Sequence, residues 1–205
     1  MKLLVVAGAL CVCAAVPSAA EVRFGGGGHS GISISSFGKA AGELYGIGFG
    51  GGVHADLQLL RPLVIRLSAD YYLFPSDKSR LKDRFTVSDP FGRPVDFQVE
   101  GLNTSTIGIT LNGIGRLPVS PTVTPYGLIG FGLHTTSASD LKITSGGREL
   151  LNSKSQSETD FGLAFGAGSE FRLGRTTLFV DVRYTLIFAS GETIGHFPIT
   201  LGISF

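Results

Sequence analysis

The sequence has no tryptophan, and only two cysteines and one methionine in 205 residues. Met1, Cys11 and Cys13 all fall within the first twenty positions. Beyond them no thiol remains for a disulfide, a thiolate nucleophile or a cysteine metal site. Charge is also scarce, at 16% of residues against a usual ~25%. The 17 basic and 16 acidic residues nearly cancel, so no basic field points to nucleic acid. After Ala20 no apolar run approaches the ~18 residues that a membrane-spanning helix needs. Yet 43% of residues are hydrophobic, and the mean hydropathy is +0.30, which excludes an intrinsically disordered chain. The one residue in excess is glycine, at 30 of 205, about double the average usage of ~7%. These glycines follow no G-X-Y period, which excludes collagen.

Residues 1–20, MKLLVVAGALCVCAAVPSAA, read as a secretory signal peptide. Lys2 supplies the positive start, Leu3 to Val16 the apolar run, and Ser18-Ala19-Ala20 the small residues of a cleavage site before Glu21. The run is too short for a spanning helix and Pro17 ends it. Cys11 and Cys13 follow Leu10 and Val12, where a lipoprotein signal wants a small residue. Removing Lys2 leaves 16 basic against 16 acidic residues in 21–205, the expected mature domain.

That domain reads as strands. Period-two alternation, the signature of a strand with two unlike faces, recurs through it. In 197–205 the apolar face is Phe197, Ile199, Leu201, Ile203 and Phe205. In 178–188 it is Leu178, Val180, Val182, Tyr184, Leu186 and Phe188, against Phe179, Asp181, Arg183, Thr185 and Ile187. Segments 161–173, 63–74 and 45–59 alternate in the same way, and 22–35, 102–114 and 126–135 do so less regularly. The expected fold class is all-β, an eight-stranded antiparallel up-and-down barrel. Connections alternate between short (Leu60-Arg61-Pro62; Gly174-Arg175) and long (36–43, 75–100, 138–158 and 189–195), with a proline-rich link of middling length around 117–124. Short turns at one end and long polar loops at the other fit a barrel of a Gram-negative outer membrane, with both termini at the short-turn, periplasmic end.

The competing architecture is a soluble, ligand-binding eight-stranded barrel. Three patterns favour the membrane. The polar face carries Asp56, Arg66, Asp70, Glu170, Arg172, Asp181 and Arg183, unlike an apolar ligand cavity. Glycines alternate with large apolar residues, which suits a lumen only wide enough for side chains. Aromatics gather towards strand ends: Tyr45, Tyr71, Phe161, Tyr184, Phe188 and Phe197 at one, Phe24, Phe171 and Phe205 at the other.

The stretches TPYGLIGFG (124–132), FGLAFGAGSEFRLGRTTLFVDVRYTLIF (161–188) and FPITLGISF (197–205) resemble the family of eight-stranded outer-membrane barrels typified by the membrane domain of outer-membrane protein A. The resemblance covers the whole of 21–205. It implies a transmembrane barrel and is unspecific for function. It also implies that Phe205, the terminal aromatic, is read by the barrel-assembly machinery; a plain girdle role is compatible with that.

Charges in a narrow lumen need partners. Folding 45–59 onto 63–74 about Arg61 sets Asp56 opposite Arg66. Folding 161–173 onto 178–188 about Gly174-Arg175 sets Glu170 opposite Phe179 and Gly168 opposite Asp181. Glu170 and Asp181 then lie diagonally, with Arg172 and Arg183 two residues along. The resulting ion-pair network is either structural filling or a gate whose opening gives a conductance sensitive to Glu170→Gln or Arg183→Gln. Gly46, Gly48, Gly50, Gly162, Ala164 and Gly166 line the long-loop half, leaving either an open cavity or a space that Tyr72 and Phe74 fill.

Enzymatic signals are weak. Small outer-membrane barrels that deacylate lipid A use a rim Ser/His/Glu triad, whereas this chain offers only His134-Thr135-Thr136, with His134 pointing inward. His29 and Ser30 point to opposite faces, His54 is a lumenal hydrogen-bonder and His196 is placed in the loop before the last strand. No two histidines have metal-ligand spacing, and neither Gly25–Gly28 nor Gly50–Gly52 precedes a helix or a Lys-Ser/Thr. No catalytic, cofactor or metal residues are therefore assigned. Lys78, Arg80, Lys82 and Arg84 in the loop 75–100 are placed to meet lipopolysaccharide phosphates, and 85–99 to prolong a hairpin above the membrane. The leading expectation is a monomeric, non-enzymatic outer-membrane protein with a structural or surface-interaction role. A narrow porin-like channel for ions or small solutes comes second, and a lipid A-modifying enzyme third.

Overall fold

The computed structural model describes residues 22–36, 47–76, 98–101, 103–145, 148–190 and 192–205. The leader, Tyr45, and loop residues 77–97 with their lysines and arginines lie outside the described residues. Every regular element among the described residues is a strand: β1 (Arg23–Ser36), β2 (Ile47–Leu60), β3 (Leu63–Phe74), β4 (Gln98–Gly101), β5 (Thr104–Arg116), β6 (Val123–Ala138), β7 (Leu141–Ser145), β8 (Arg148–Ser153), β9 (Gln156–Leu173), β10 (Thr176–Ala189) and β11 (Glu192–Ser204).

Eight of these close into an antiparallel barrel in the order β1-β2-β3-β5-β6-β9-β10-β11, with β11 pairing back onto β1. Closure leaves no unpaired edge, the condition for crossing a bilayer with strands. The seam ends with Gly26 and Phe205 exchanging backbone bonds of 3.1 and 3.0 Å. Gly174 opens the β9–β10 turn at φ 66°, a conformation at ease only for glycine. Both tight hairpins adopt the anticipated register: Asp56 faces Arg66, Glu170 faces Phe179 and Gly168 faces Asp181.

The barrel is inverted relative to a soluble core. Its outer face displays Phe24, Ile129, Leu201 and Val53 at 85%, 71%, 63% and 63% exposure. Its largest fully buried side chain is an arginine, Arg66. No charged residue occupies an outward position between Phe24 and Ile34, Ile47 and Leu59, Leu63 and Leu73, Phe161 and Leu173, or Leu178 and Phe188. At ~3.3 Å per residue and ~40° tilt, the run from Leu178 to Phe188 rises roughly 25 Å, the height of an outer-membrane apolar band. Rings meet along its upper edge with centroids 5.4–6.4 Å apart: Phe131–Phe161–Phe188 are stacked, while Tyr184 meets Phe165 edge-on and Phe197 at a tilt.

Three expectations about loops are corrected. Residues 138–158 are not an open loop, because β7 and β8 form a hairpin there. Residues 98–101 do not prolong the β3–β5 hairpin; they pair with β7, giving a separate three-stranded sheet β4-β7-β8. Residues 189–195 are largely strand, since Ala189 already pairs with Glu192 and Leu186 with Gly195. His196 therefore sits inside β11 and not in a loop.

Candidate functional site

The lumen gathers buried polar side chains among the described residues, and three tiers fill it. At the short-turn end, Val64, Ile114, Tyr126, Leu128 and Phe179 form an apolar plug. At the long-loop end, Tyr72 and Phe74 form a second, with Ile194 packed on it. Polar and charged side chains occupy the space between.

Arg66 and Asp56, on the two strands of the β2–β3 hairpin, are joined by paired bonds of 2.7 and 2.8 Å. Phe179 backs the guanidinium at 5.1 Å from its ring centre. Across the lumen, Asp181 accepts from Arg183 Nε and Nη2 at 3.1 and 2.9 Å, from Tyr126 at 3.1 Å and from Thr200 at 2.7 Å. These fixed donors compensate the desolvation that a buried carboxylate suffers. Asn112 donates to Thr110 at 3.0 Å.

The chain's four histidines all point inward and are buried. His29 Nε2 lies 2.8 Å from Asp70 Oδ1. His29 stacks on His54 at 6.1 Å between centroids, and the ring of Phe179 meets both edge-on. His54 Nε2 meets Ser204 Oγ at 3.0 Å, and His196 Nδ1 meets Ser33 Oγ at 3.1 Å. His54 Nδ1 and His196 Nε2, the nitrogens that an orienting acid holds in a nucleophilic triad, have no hydrogen-bond partner among the described residues. The two serine–histidine pairs join residues 150 and 163 apart in sequence, so no local spacing announces them.

Of the residues that suggested an open cavity, Gly46 lies outside the described residues, and the space beside Gly48 and Gly50 is occupied. A Cβ at Gly48 would strike the Phe74 ring, and one at Gly50 would strike Tyr72. Of the two alternatives for the long-loop half, Tyr72 and Phe74 therefore fill it. A cavity of about 20 Å³ remains, lined by Asp70, His134, Arg183 and His196 among others. That is room for about one water.

The sequence-derived ion-pair candidates thus separate into discrete pairs, not a continuous network. Asp56 meets Arg66 and Asp181 meets Arg183, while Asp70 lies beside His29 without a hydrogen bond between them. Glu170 is bound not by Arg172 or Arg183 but by Arg116 of β5, at 2.7 Å. Arg172 is corrected outright: it has the inward phase, but β9 has left the lumen by that level, and its side chain is exposed at the rim. Among the described residues no three His, Cys, Asp or Glu side chains are grouped to hold a metal.

No curated protein matches the chain. Among solved structures its fold is similar to a major outer membrane protein from Thermus thermophilus, at TM-score 0.55 and 15% identity, over 88% of this chain and 98% of that one. It is also similar to Neisserial surface protein A, at TM-score 0.50 and 16% identity over 88% and 94%. Ail from Yersinia pestis aligns at TM-score 0.44 and 15% identity over 92% and 100%. A family model described as "Outer membrane protein beta-barrel domain" matches residues 4–204. With that match spanning nearly its whole length, the chain belongs to the outer-membrane protein β-barrel domain family.

Proposed function

We propose that this protein is a non-enzymatic, monomeric outer-membrane barrel. Its filled lumen serves as a rigid mount, and the sheet β4-β7-β8 beyond the long-loop rim is its interaction surface. The observation that carries this reading is the lumen itself. Two apolar plugs bracket hydrogen-bonded charges, with a cavity of about 20 Å³ lined by Asp70, His134 and Arg183 among others. A hydrated ion would have to displace both plugs and strip Asp56 or Asp181 of donors in a low-dielectric interior. Loops and sheets standing clear of a rigid scaffold are where recognition usually resides.

The deciding experiment is planar-bilayer recording of the purified, heat-modifiable protein. Electrical silence supports the structural reading; resolved conductance steps overturn it in favour of a narrow channel. Lipid A mass spectra from cells with and without the protein should be identical, and a lost or added acyl chain would instead mark an enzyme. Recognition by the assembly machinery through Phe205, which is 75% exposed, predicts that Phe205→Ala lowers insertion in cells while spontaneous refolding into vesicles persists.

A further inference from the structure

The short-turn rim carries a one-sided charge, of which the lumen's ion pairs use only Arg116. Arg23 begins β1, Arg61 lies in the β2–β3 turn, Arg116 ends β5, and Arg172 and Arg175 flank the β9–β10 turn. Among the described residues the only acidic side chain at this level is Glu170, which is bound by Arg116; Glu21 lies outside them. No lysine occurs there. The opposite rim is mixed in sign, with Asp140, Lys142, Lys154, Glu158 and Asp160.

Backbone bonds hold these arginines in one arc. Arg116 N donates to Pro62 O at 2.7 Å, beside Arg61, and Arg172 N donates to Thr122 O at 2.9 Å. Arg23 faces Gln58, three residues before Arg61. In the order β1-β2-β3-β5-β6-β9-β10 the arc follows most of the circumference. Arg23, Arg61, Arg172 and Arg175 are exposed. Directly adjoining them are exposed apolar side chains continuous with the lipid-facing band: Phe24, Phe205, Leu117, Val119 and Leu173, at 85%, 75%, 70%, 69% and 60%.

We infer that this rim is a docking ring for anionic phospholipid headgroups of the leaflet at the short-turn end. The apolar side chains sit among the uppermost acyl carbons. The guanidiniums stand one layer further out, where phosphates lie. An arginine fork donates two parallel bonds to a phosphate, which a lysine does not, and all five cations of the arc are arginine. Basic groups at a bilayer surface gain from anionic lipid within a Debye length.

The test uses the full folded chain in phosphatidylcholine nanodiscs doped with spin-labelled lipid, read by electron paramagnetic resonance. Spin-labelled phosphatidylglycerol should be immobilised roughly threefold more than spin-labelled phosphatidylcholine, with the preference lost in 0.5 M salt. The triple variant Arg61→Gln/Arg172→Gln/Arg175→Gln should approach parity, and Arg175→Gln alone should fall part of the way. Lys154→Gln, beyond the opposite rim and outside the β4-β7-β8 sheet, should match the parent. Unchanged heat-modifiable mobility certifies each fold. Equal immobilisation of the two lipids in the parent, or a preference surviving in the triple variant, overturns the inference. So does a triple variant that keeps its lipid preference but no longer sediments with purified cell-wall sacculi, since the rim would then serve an anionic polymer.

Discussion

Arg66 and Asp56 face each other across the β2–β3 hairpin and share two parallel bonds of 2.7 and 2.8 Å inside a bilayer-spanning barrel. Arg66 is 2% exposed and rests against Phe179, so the pair lacks water to replace either partner. Asp56→Ala should therefore destabilise by about 3–5 kcal/mol, the usual cost of stranding a buried charge. Asp56→Leu/Arg66→Met, which removes both charges at similar volume, should recover most of that loss. Urea titration of folding in lipid vesicles measures both. A double variant no better than Asp56→Ala would mean that the pair is not energetically coupled.

Asp181 is satisfied from three strands, β6, β10 and β11, through Tyr126, Arg183 and Thr200. Removing one neutral donor leaves the other bonds in place, so Tyr126→Phe and Thr200→Val should each cost about 1–2 kcal/mol. Asp181→Asn discards the charge that balances Arg183 and should cost more than either. The ranking of the three urea midpoints is the check. An Asp181→Asn midpoint equal to that of the parent would contradict it.

How much of this was legible follows the connectivity. The two-residue Gly174-Arg175 turn leaves no freedom in register, so the facing of Gly168 with Asp181 could be counted from it. The facing of Asp56 with Arg66, counted about Arg61, holds because a bulge between Gln58 and Leu60 shifts the register set by the Arg61-Pro62 turn by one residue. The two-faced alternation located the lipid side for the same reason: an error of one residue would have put Arg66 and Asp181 into lipid. Partners that do not share a hairpin were hidden. Arg116 reaches Glu170 past the intervening β6, and the serine–histidine contacts join β1 or β2 to β11 across the closure. His196 was misplaced because Ser190, Gly191 and Gly195 read locally as a loop, whereas pairing with both β10 and β1 overrides that preference. The outer sheet is built by β4 pairing with β7 some forty positions later, which no local pattern encodes.

The plug at the long-loop end predicts a coupled pair. Phe74 is fully buried, and its ring occupies the space a side chain at Gly48 would need. Phe74→Ala should cost roughly 3–5 kcal/mol through the cavity it leaves. Gly48→Ala should cost about 1–3 kcal/mol through overpacking. Combined with Phe74→Leu, Gly48→Ala should be milder than the sum of the separate effects, because the smaller side chain yields room for the new methyl. Strict additivity in urea midpoints would show that the two positions do not meet.

The outer face also marks where lipid ends. Along β6 the outward series Ile129, Phe131, Leu133 gives way to Thr135 and Ser137, and along β9 Phe165, Leu163, Phe161 gives way to Thr159 and Ser157. These hydroxyls bond across the strands at 2.9 Å for Thr135–Thr159 and for Ser137–Ser157, and a run of hydroxyls replaces the apolar side chains that hydrocarbon favours, because moving hydroxyls out of water costs desolvation. Both cysteines of the chain lie in residues 1–20, so protein made from residue 21 onward has no thiol background. Single cysteines placed at Ser137 or Ser157 should react with a membrane-impermeant maleimide in vesicles whose long-loop end faces outward. Cysteines at Phe131 or Leu163 should react at least tenfold more slowly, since they lie within the apolar band, where the reagent does not enter and a thiol rarely ionises. Equal labelling at all four positions would place the boundary lower on the barrel, leaving the stacked rings of Phe131, Phe161 and Phe188 in water.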